Sequence, residues 1–225
     1  MAGGIWQFSR PVSTPGDPDV YPIDRVGSAV IVVARPPEMI AGFGGSVAML
    51  AAAGVRLRII VAADGERADT AAAPAQLLLA LKRLGAAKAE IIALSSRPSP
   101  ASGRVDEVTR RLGYLVQGFD LCAAPWSADH GSDSGSVRWA ALLACSLRLR
   151  PPLVEYWDGR PEGASDCGAE PWQRAAWIEL SRQSARAKHY ADEIWAGTGN
   201  GPPPASSTTA HRRRPFPCDH ELVFR

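Results

Sequence analysis

The stretch from Ser28 to Glu66, SAVIVVARPPEMIAGFGGSVAMLAAAGVRLRIIVAADGE, constrains the fold more than any other. Ala29 to Ala34 is a short apolar run rich in β-branched residues, the pattern of a buried strand. A loop is expected over Arg35 to Gly45, carrying Gly42, Gly44 and Gly45, followed by an alanine-rich helix to Ala53. Gly54 stands where glycine commonly ends a helix. Val55 to Ala63 reads as a second strand, closing at Asp64 and Gly65. Together these form one β-α-β unit. Ligands of such units sit beyond the carboxyl ends of the strands, so Arg35 to Gly45 and Asp64 to Arg67 are the segments to question.

The same alternation continues. Ala75 to Leu84 places leucines at 77, 78, 81 and 84, the spacing of one helical face, and Gly85 ends it. Ala89 to Leu94 reads as a strand, Ser95 to Gly103 as a loop of turn formers, and Val105 to Val116 as a helix. Asp106 and Glu107 favour the start of that helix through its dipole. Phe119 to Ala124 is the next strand, opening into the segment PWSADHGSDSG. Val137 to Leu149 reads as a helix, Pro152 to Trp157 as a strand, Arg160 to Glu170 as a loop, and Trp172 to Ile194 as one long amphipathic helix. Glu221 to Phe224 is expected as a last edge strand.

Strands alternating with helices imply an α/β fold, a doubly wound, mostly parallel Rossmann-like sheet with helices on both faces. Residues 1–27 read as an irregular N-terminal arm, which Trp6 and Phe8 are placed to pin down. Residues 28–225 read as a single domain with a mobile Gly-, Pro-, Ser- and Thr-rich loop at about 197–214. A length of 225 residues with 46% apolar content suits one domain with a full core. The net charge of +2 gives no argument for nucleic acid or an anionic membrane. Cys122, Cys145, Cys167 and Cys218 form no C-x-x-C pair, which suits reduced thiols in a cytoplasmic protein. No apolar run approaches bilayer length, and the N-terminus lacks the pattern of a signal peptide.

The β-α-β stretch resembles the PIG-L/LmbE family of zinc-dependent N-deacetylases. That family carries a strand, an Ala-His-Pro-Asp-Asp-Glu motif, a Gly-x-Gly-Gly helix start, and a second strand ending in Thr-Asp-Gly-Glu. Ala34, Pro36, Gly42, Gly44, Gly45, Asp64, Gly65 and Glu66 match without a gap. The chemical positions depart from the pattern. Arg35 stands at the zinc histidine, Pro37 at the general-base aspartate, Glu38 at the zinc-binding aspartate, and Met39 at the glutamate. Beyond the fourth strand the family has Ala-Pro-Trp, an Asp, then His-Pro-Asp-His, whose last histidine binds zinc. Here Ala124, Pro125, Trp126, Asp129 and Asp133 match without a gap, which puts Gly131 and Ser134 at the two histidine positions. Sliding by one residue puts His130 at the first histidine and Asp133 at the zinc position. The gapless match is preferred for its separated identities. Glu155 and Tyr156 match a similar pair in the family, while an arginine and a glutamate that usually open the helix near Ala75 are missing.

Catalytic zinc takes three protein ligands plus a water whose pKa falls to about 7, and a carboxylate accepts that water's proton. Arg35 brings a fixed cation to the site and Pro37 cannot accept a proton. The resemblance therefore implies an inherited scaffold with no zinc cofactor: a non-hydrolytic protein acting in binding or regulation. Such a protein has a small-molecule or sugar ligand in its cleft and homo- or hetero-oligomers with an active relative as expected partners. The alternative is an N-deacetylase or other amide hydrolase with a rebuilt site. Glu38, Asp64, Asp129, His130 and Asp133 are the cleft candidates for it. Asp129, His130 and Asp133 with Glu38 would make an oxygen-rich site of the kind that takes Mg²⁺ or Mn²⁺. A further reading has Gly42, Gly44 and Gly45 cradling a phosphate at a helix start. His211 to Arg214 is a basic run with the look of a solvated surface, and His189, His211 and His220 are the remaining histidines.

Overall fold

In the computed structural model, the described residues are 19–62, 72–94, 104–129, 131–146, 151–157, 172–196 and 219–225. They form an eight-stranded sheet in the order β1-β7-β8-β6-β5-β2-β3-β4. The strands are β1 (Asp19–Val20), β2 (Ser28–Val33), β3 (Arg56–Val61), β4 (Glu90–Ala93), β5 (Leu121–Pro125), β6 (Leu153–Tyr156), β7 (Ala175–Glu179) and β8 (His220–Phe224). The helices are α1 (Pro36–Ala52), α2 (Ala72–Arg83), α3 (Arg104–Leu115), α4 (Asp133–Cys145) and α5 (Arg182–Ala196). All strand pairs are parallel except those of β8, which runs antiparallel to both β6 and β7. The doubly wound, mostly parallel sheet read from the sequence is the architecture found.

Period-two alternation divides the core. Ala29, Ile31 and Val33 of β2 join Leu57, Ile59 and Val61 of β3 in one cluster, which takes in α1, α2 and α5. Val30, Val32 and Ala34 turn to the other face and meet Val108 and Leu112 of α3 and Val137 and Ala141 of α4. Strands buried on both faces read as continuous apolar runs, which is why β2, and β3 from Ile59 onward, stand out in the sequence. Gly54, Gly85 and Gly118 follow α1, α2 and α3 with φ of 73°, 75° and 72°, a conformation that favours glycine.

Four expectations need correction. First, α1 begins at Pro36 and not after the glycines, because prolines suit the first helical positions, where no N–H partner is needed. Gly42, Gly44 and Gly45 therefore lie inside a helix and form no turn. A Cβ on Gly42 would stand 2.9 Å from the Trp157 carbonyl oxygen, and one on Gly45 would stand 2.4 Å from Leu180 Cδ1. Gly42 and Gly45 serve close packing, and the helical position of all three removes the phosphate-cradling reading. Second, Trp172 to Ile194 is not one helix. A short 3-10 turn, β7 and α5 share it, and the break is set where Ser181 Oγ accepts the Ser184 N–H at 3.1 Å as an N-cap. Third, β8 lies inside the sheet and not at its edge, because it inserts between β6 and β7. Fourth, α4 starts one turn earlier than expected, at Asp133, because the Ser132 hydroxyl caps it. Of the arm, residues 19–26 are described, and they contain β1, paired with β7, and a 3-10 turn at Ile23–Arg25. Trp6, Phe8 and the 197–214 segment lie outside the described residues.

Candidate functional site

β2 leads through α1 to β3 on one side, while β5 lies on its other side and leads into α4. Strand order thus reverses between β2 and β5, and in open α/β sheets the ligand crevice lies at such a point, beyond the strands' carboxyl ends. Described residues of two segments meet there: Ala34 to Glu38 after β2, and, after β5, Trp126 to Asp129 with Gly131 to Ser134.

The first segment is short and rigid. Arg35 is extended, with φ −130° and ψ 123°, and precedes the two prolines that open α1. One turn into the helix, the Glu38 carboxylate turns back to the Arg35 guanidinium and forms an ion pair through Oε1 and Nη2. The two ends of this pair differ in exposure. The Arg35 side chain is 48% exposed and that of Glu38 is 6% exposed. The other Glu38 oxygen, Oε2, accepts a hydrogen bond from Ser134 Oγ at 2.7 Å. Arg35, Glu38 and Ser134, three positions singled out from the sequence, are therefore joined in one constellation.

The second segment is held by its own turns. Trp126 is buried and packs against Phe224, with ring centroids 5.5 Å apart. Asp129 Oδ1 accepts the Gly131 N–H at 2.8 Å, and Ser132 Oγ donates to the Asp129 carbonyl at 2.7 Å. Ser132 Oγ also accepts the Gly135 N–H at 3.0 Å, which starts α4 and brings Ser134 to Glu38. Asp129 is thus used in closing the turn, and Asp133 lies in the first turn of α4, where a carboxylate favours the helix dipole. Pro37 is half-buried at the start of α1, Met39 is buried in the core, and Gly131 is exposed. Asp64, His130 and His211 lie outside the described residues. His189 is on α5 beside Glu193, at 3.5 Å, and His220 meets the edge of Trp177, with centroids 6.0 Å apart. Among the described residues no group of three or more His, Cys, Asp or Glu is placed to hold a metal ion.

Two charged networks support the crevice, and reading the sequence did not find them. Glu155 on β6 is buried and lies between two guanidiniums, bonded to Arg138 Nε and, at 3.0 Å, to Arg174 Nη2. Arg138 also donates to the Ser127 carbonyl at 3.2 Å, tying α4 to the segment after β5. Arg138 is one turn beyond Ser134, so the same face of α4 serves both contacts. The second network is centred on Glu221 of β8, which is 3% exposed. Its carboxylate accepts the N–H groups of Gly45 and Ser46, each at 2.8 Å, and the Ser46 hydroxyl at 2.6 Å. Lys188 Nζ on α5 completes it at 2.6 Å. The tail strand thus grips the middle of the helix whose first turn carries Glu38. In the sequence, the available signal was Glu221 alternating with buried Val223 on one face of a strand.

Comparison of the fold places these observations among solved structures. The chain aligns with the A40926 pseudoaglycone deacetylase Dbv21 at a TM-score of 0.60 and 16% identity, covering 89% of this chain and 97% of that one. It aligns with a deacetylase of teicoplanin biosynthesis at a TM-score of 0.60 and 15% identity, covering 75% and 84%. It aligns with the 4-carboxy-2-hydroxymuconate hydratase GalB of Pseudomonas putida KT2440 at a TM-score of 0.57 and 16% identity, covering 76% and 79%. The fold is that of the PIG-L/LmbE-type deacetylases, and this fold also carries a hydratase. No family model matches the chain, and no curated protein matches it in sequence.

Proposed function

We propose that this chain is a deacetylase-fold protein that does not perform zinc-dependent hydrolysis and acts by binding a small polar ligand in the crevice between β2 and β5. One observation carries the reading: the Arg35–Glu38–Ser134 constellation stands where the resemblance implies the zinc ligands. The donor set does not fit a catalytic zinc. A guanidinium has no lone pair to give at any ordinary pH, and a neutral serine hydroxyl is a poor ligand beside histidine or carboxylate. Glu38 is the one conventional ligand of the three, and its two oxygens already face Arg35 and Ser134. A metal ion would have to displace a cation that is tethered one helical turn away.

The same arrangement argues against Glu38 as a general base. Both of its oxygens are already engaged, one by the Arg35 guanidinium and one by the Ser134 hydroxyl, so a water would have to displace one of them to give up its proton there. Pro37, at the position where the resemblance implies the base, has no group to accept a proton. The residues instead suit a fixed polar floor. Arg35 presents N–H donors, Glu38 holds Arg35, and Ser134 holds Glu38. Such a site binds and orients without turnover, in a ligand-sensing or regulatory role that includes partnership with an active relative.

The test is hydrolysis. Full-length protein supplied with Zn²⁺, Mg²⁺ or Mn²⁺ is incubated with N-acetylated mono- and disaccharides, and released acetate is measured. The expected result is release no faster than in protein-free controls. Metal-dependent release that disappears in Glu38→Ala overturns the reading in favour of a rebuilt enzyme.

A further inference from the structure

We infer that the crevice between β2 and β5 recognises a small carboxylate through the Arg35 guanidinium. This rests on the non-hydrolytic reading above and goes beyond it by assigning the ligand's chemistry.

An arginine carries five N–H donors in a planar fork. Arg35 commits Nη2 to Glu38, and among the described residues its guanidinium meets no other partner. The Arg35 side chain is 48% exposed, so a ligand from solvent can reach it. The anchored side is fixed, because Glu38 is 6% exposed and Ser134 Oγ holds its second oxygen at 2.7 Å. A guanidinium held on one side and open on the other has already lost part of its rotamer freedom, so a ligand meets a smaller ordering cost. The open fork matches a carboxylate, whose two coplanar oxygens accept parallel N–H donors.

The surroundings favour the side chain over the backbone as the recognising group. Pro36 and Pro37 occupy the start of α1, so its first two positions offer no N–H. At α4, the Gly131 and Gly135 N–H groups are taken by Asp129 and Ser132. The charge of Glu38 is opposed by Arg35, and Asp129 is engaged with its own turn. The start of α4 adds the positive end of a thirteen-residue helix dipole to the same crevice, which opposes part of the charge of the first-turn carboxylate of Asp133. A neutral amide of the same shape offers a single acceptor oxygen and no charge. The site should therefore separate acetate from acetamide.

The experiment titrates metal-free, full-length, ¹⁵N-labelled protein with acetate and, separately, with acetamide, with chloride holding ionic strength constant. The readout is the shift of the Ala34, Arg35 and Glu38 amide resonances. Acetate is expected to give a saturable shift at least about tenfold tighter than acetamide. Arg35→Lys keeps the charge and loses the fork, and should weaken acetate by about tenfold. The Arg35→Ala/Glu38→Ala double variant removes the pair together, leaving no unpaired buried carboxylate, and should show no saturable shift. Equal responses to acetate and acetamide, no saturable acetate response in the parent protein, or an unchanged acetate response in the double variant would overturn the inference. None of these results bears on zinc or hydrolysis, so the non-hydrolytic reading stands or falls separately.

Discussion

Ser134 Oγ donates a 2.7 Å hydrogen bond to Glu38 Oε2 although 96 residues of chain separate them. The bond crosses the switch point of the sheet and joins the first turns of α1 and α4. Both groups are buried, so Ser134→Ala removes a buried hydrogen bond to a carboxylate and should cost about 1–2 kcal/mol. Asp133→Ala, one residue away, should cost less than about 1 kcal/mol, the size of a helix-dipole contact. Urea unfolding of the two variants ranks them, and the reverse order would mean that the helix-start contact of Asp133 outweighs the Ser134–Glu38 bond.

The glycines of α1 make a sharper comparison, because each carries the same helix-propensity penalty. A Cβ on Gly44 finds its nearest atom at 3.5 Å, an ordinary contact, so Gly44→Ala should be neutral or stabilising by up to about 1 kcal/mol. On Gly42 the obstacle is backbone, the Trp157 carbonyl at 2.9 Å, and on Gly45 it is the whole Leu180 side chain, with Cδ1 at 2.4 Å and Cγ at 3.1 Å. Gly42→Ala and Gly45→Ala should each destabilise by about 1–3 kcal/mol. Thermal and urea unfolding of the three variants provide the check.

Glu221 is a buried carboxylate that accepts from two backbone N–H groups, a hydroxyl and an ammonium. Glu221→Ala strands Lys188 and the Gly45 and Ser46 donors together, and should cost about 3–5 kcal/mol. Lys188→Met should cost less, because the carboxylate keeps three donors from α1. Equal losses would mean that the charge pair, and not the grip on α1, carries the stability.

Cys122 is fully buried on β5, and its thiol is pushed well above its ordinary range, first by hydrogen bonding with Cys145 and then by burial. A group whose pKa is raised in the folded state contributes its stability below the unfolded value, about 8.5 for a thiol, and loses it as pH rises. Stability should therefore fall on going from pH 8 to pH 10, and by less in Cys122→Val. Cys122 should also resist alkylation at pH 8 until the protein is unfolded, which peptide mapping of the labelled sites would show.

The central strands and the helices ended by Gly54 and Gly85 were legible because their signals are local: buried runs and glycine stops. α1 was misplaced at its start because Gly42, Gly44 and Gly45 look like a turn when their packing neighbours, Trp157 and Leu180, lie far along the chain. β7 was hidden because Trp177, Leu180 and Ile194 fit a helical face, while the Ser181 cap that breaks the segment is a weaker signal. The internal position of β8 depends on its antiparallel pairing with two strands, which no short window contains. At the site, Arg35 and Glu38 were legible as neighbours in sequence. Ser134 was reachable only through the gapless motif match, and the contacts of Glu155 and Glu221 depend on tertiary folding alone.

On the function proposed above, an arginine and not a metal ion supplies the positive charge beneath this crevice. The most direct measurement strips the protein with chelator, reloads it with zinc, removes the excess, and counts zinc per chain by mass spectrometry. An Arg35→His/Ser134→His variant is measured alongside and should gain zinc, since with Glu38 it regains a His₂-carboxylate set. The parent protein is expected to retain no zinc. Near-stoichiometric zinc in the parent would contradict it and place the metal ligands among residues other than Arg35 and Ser134.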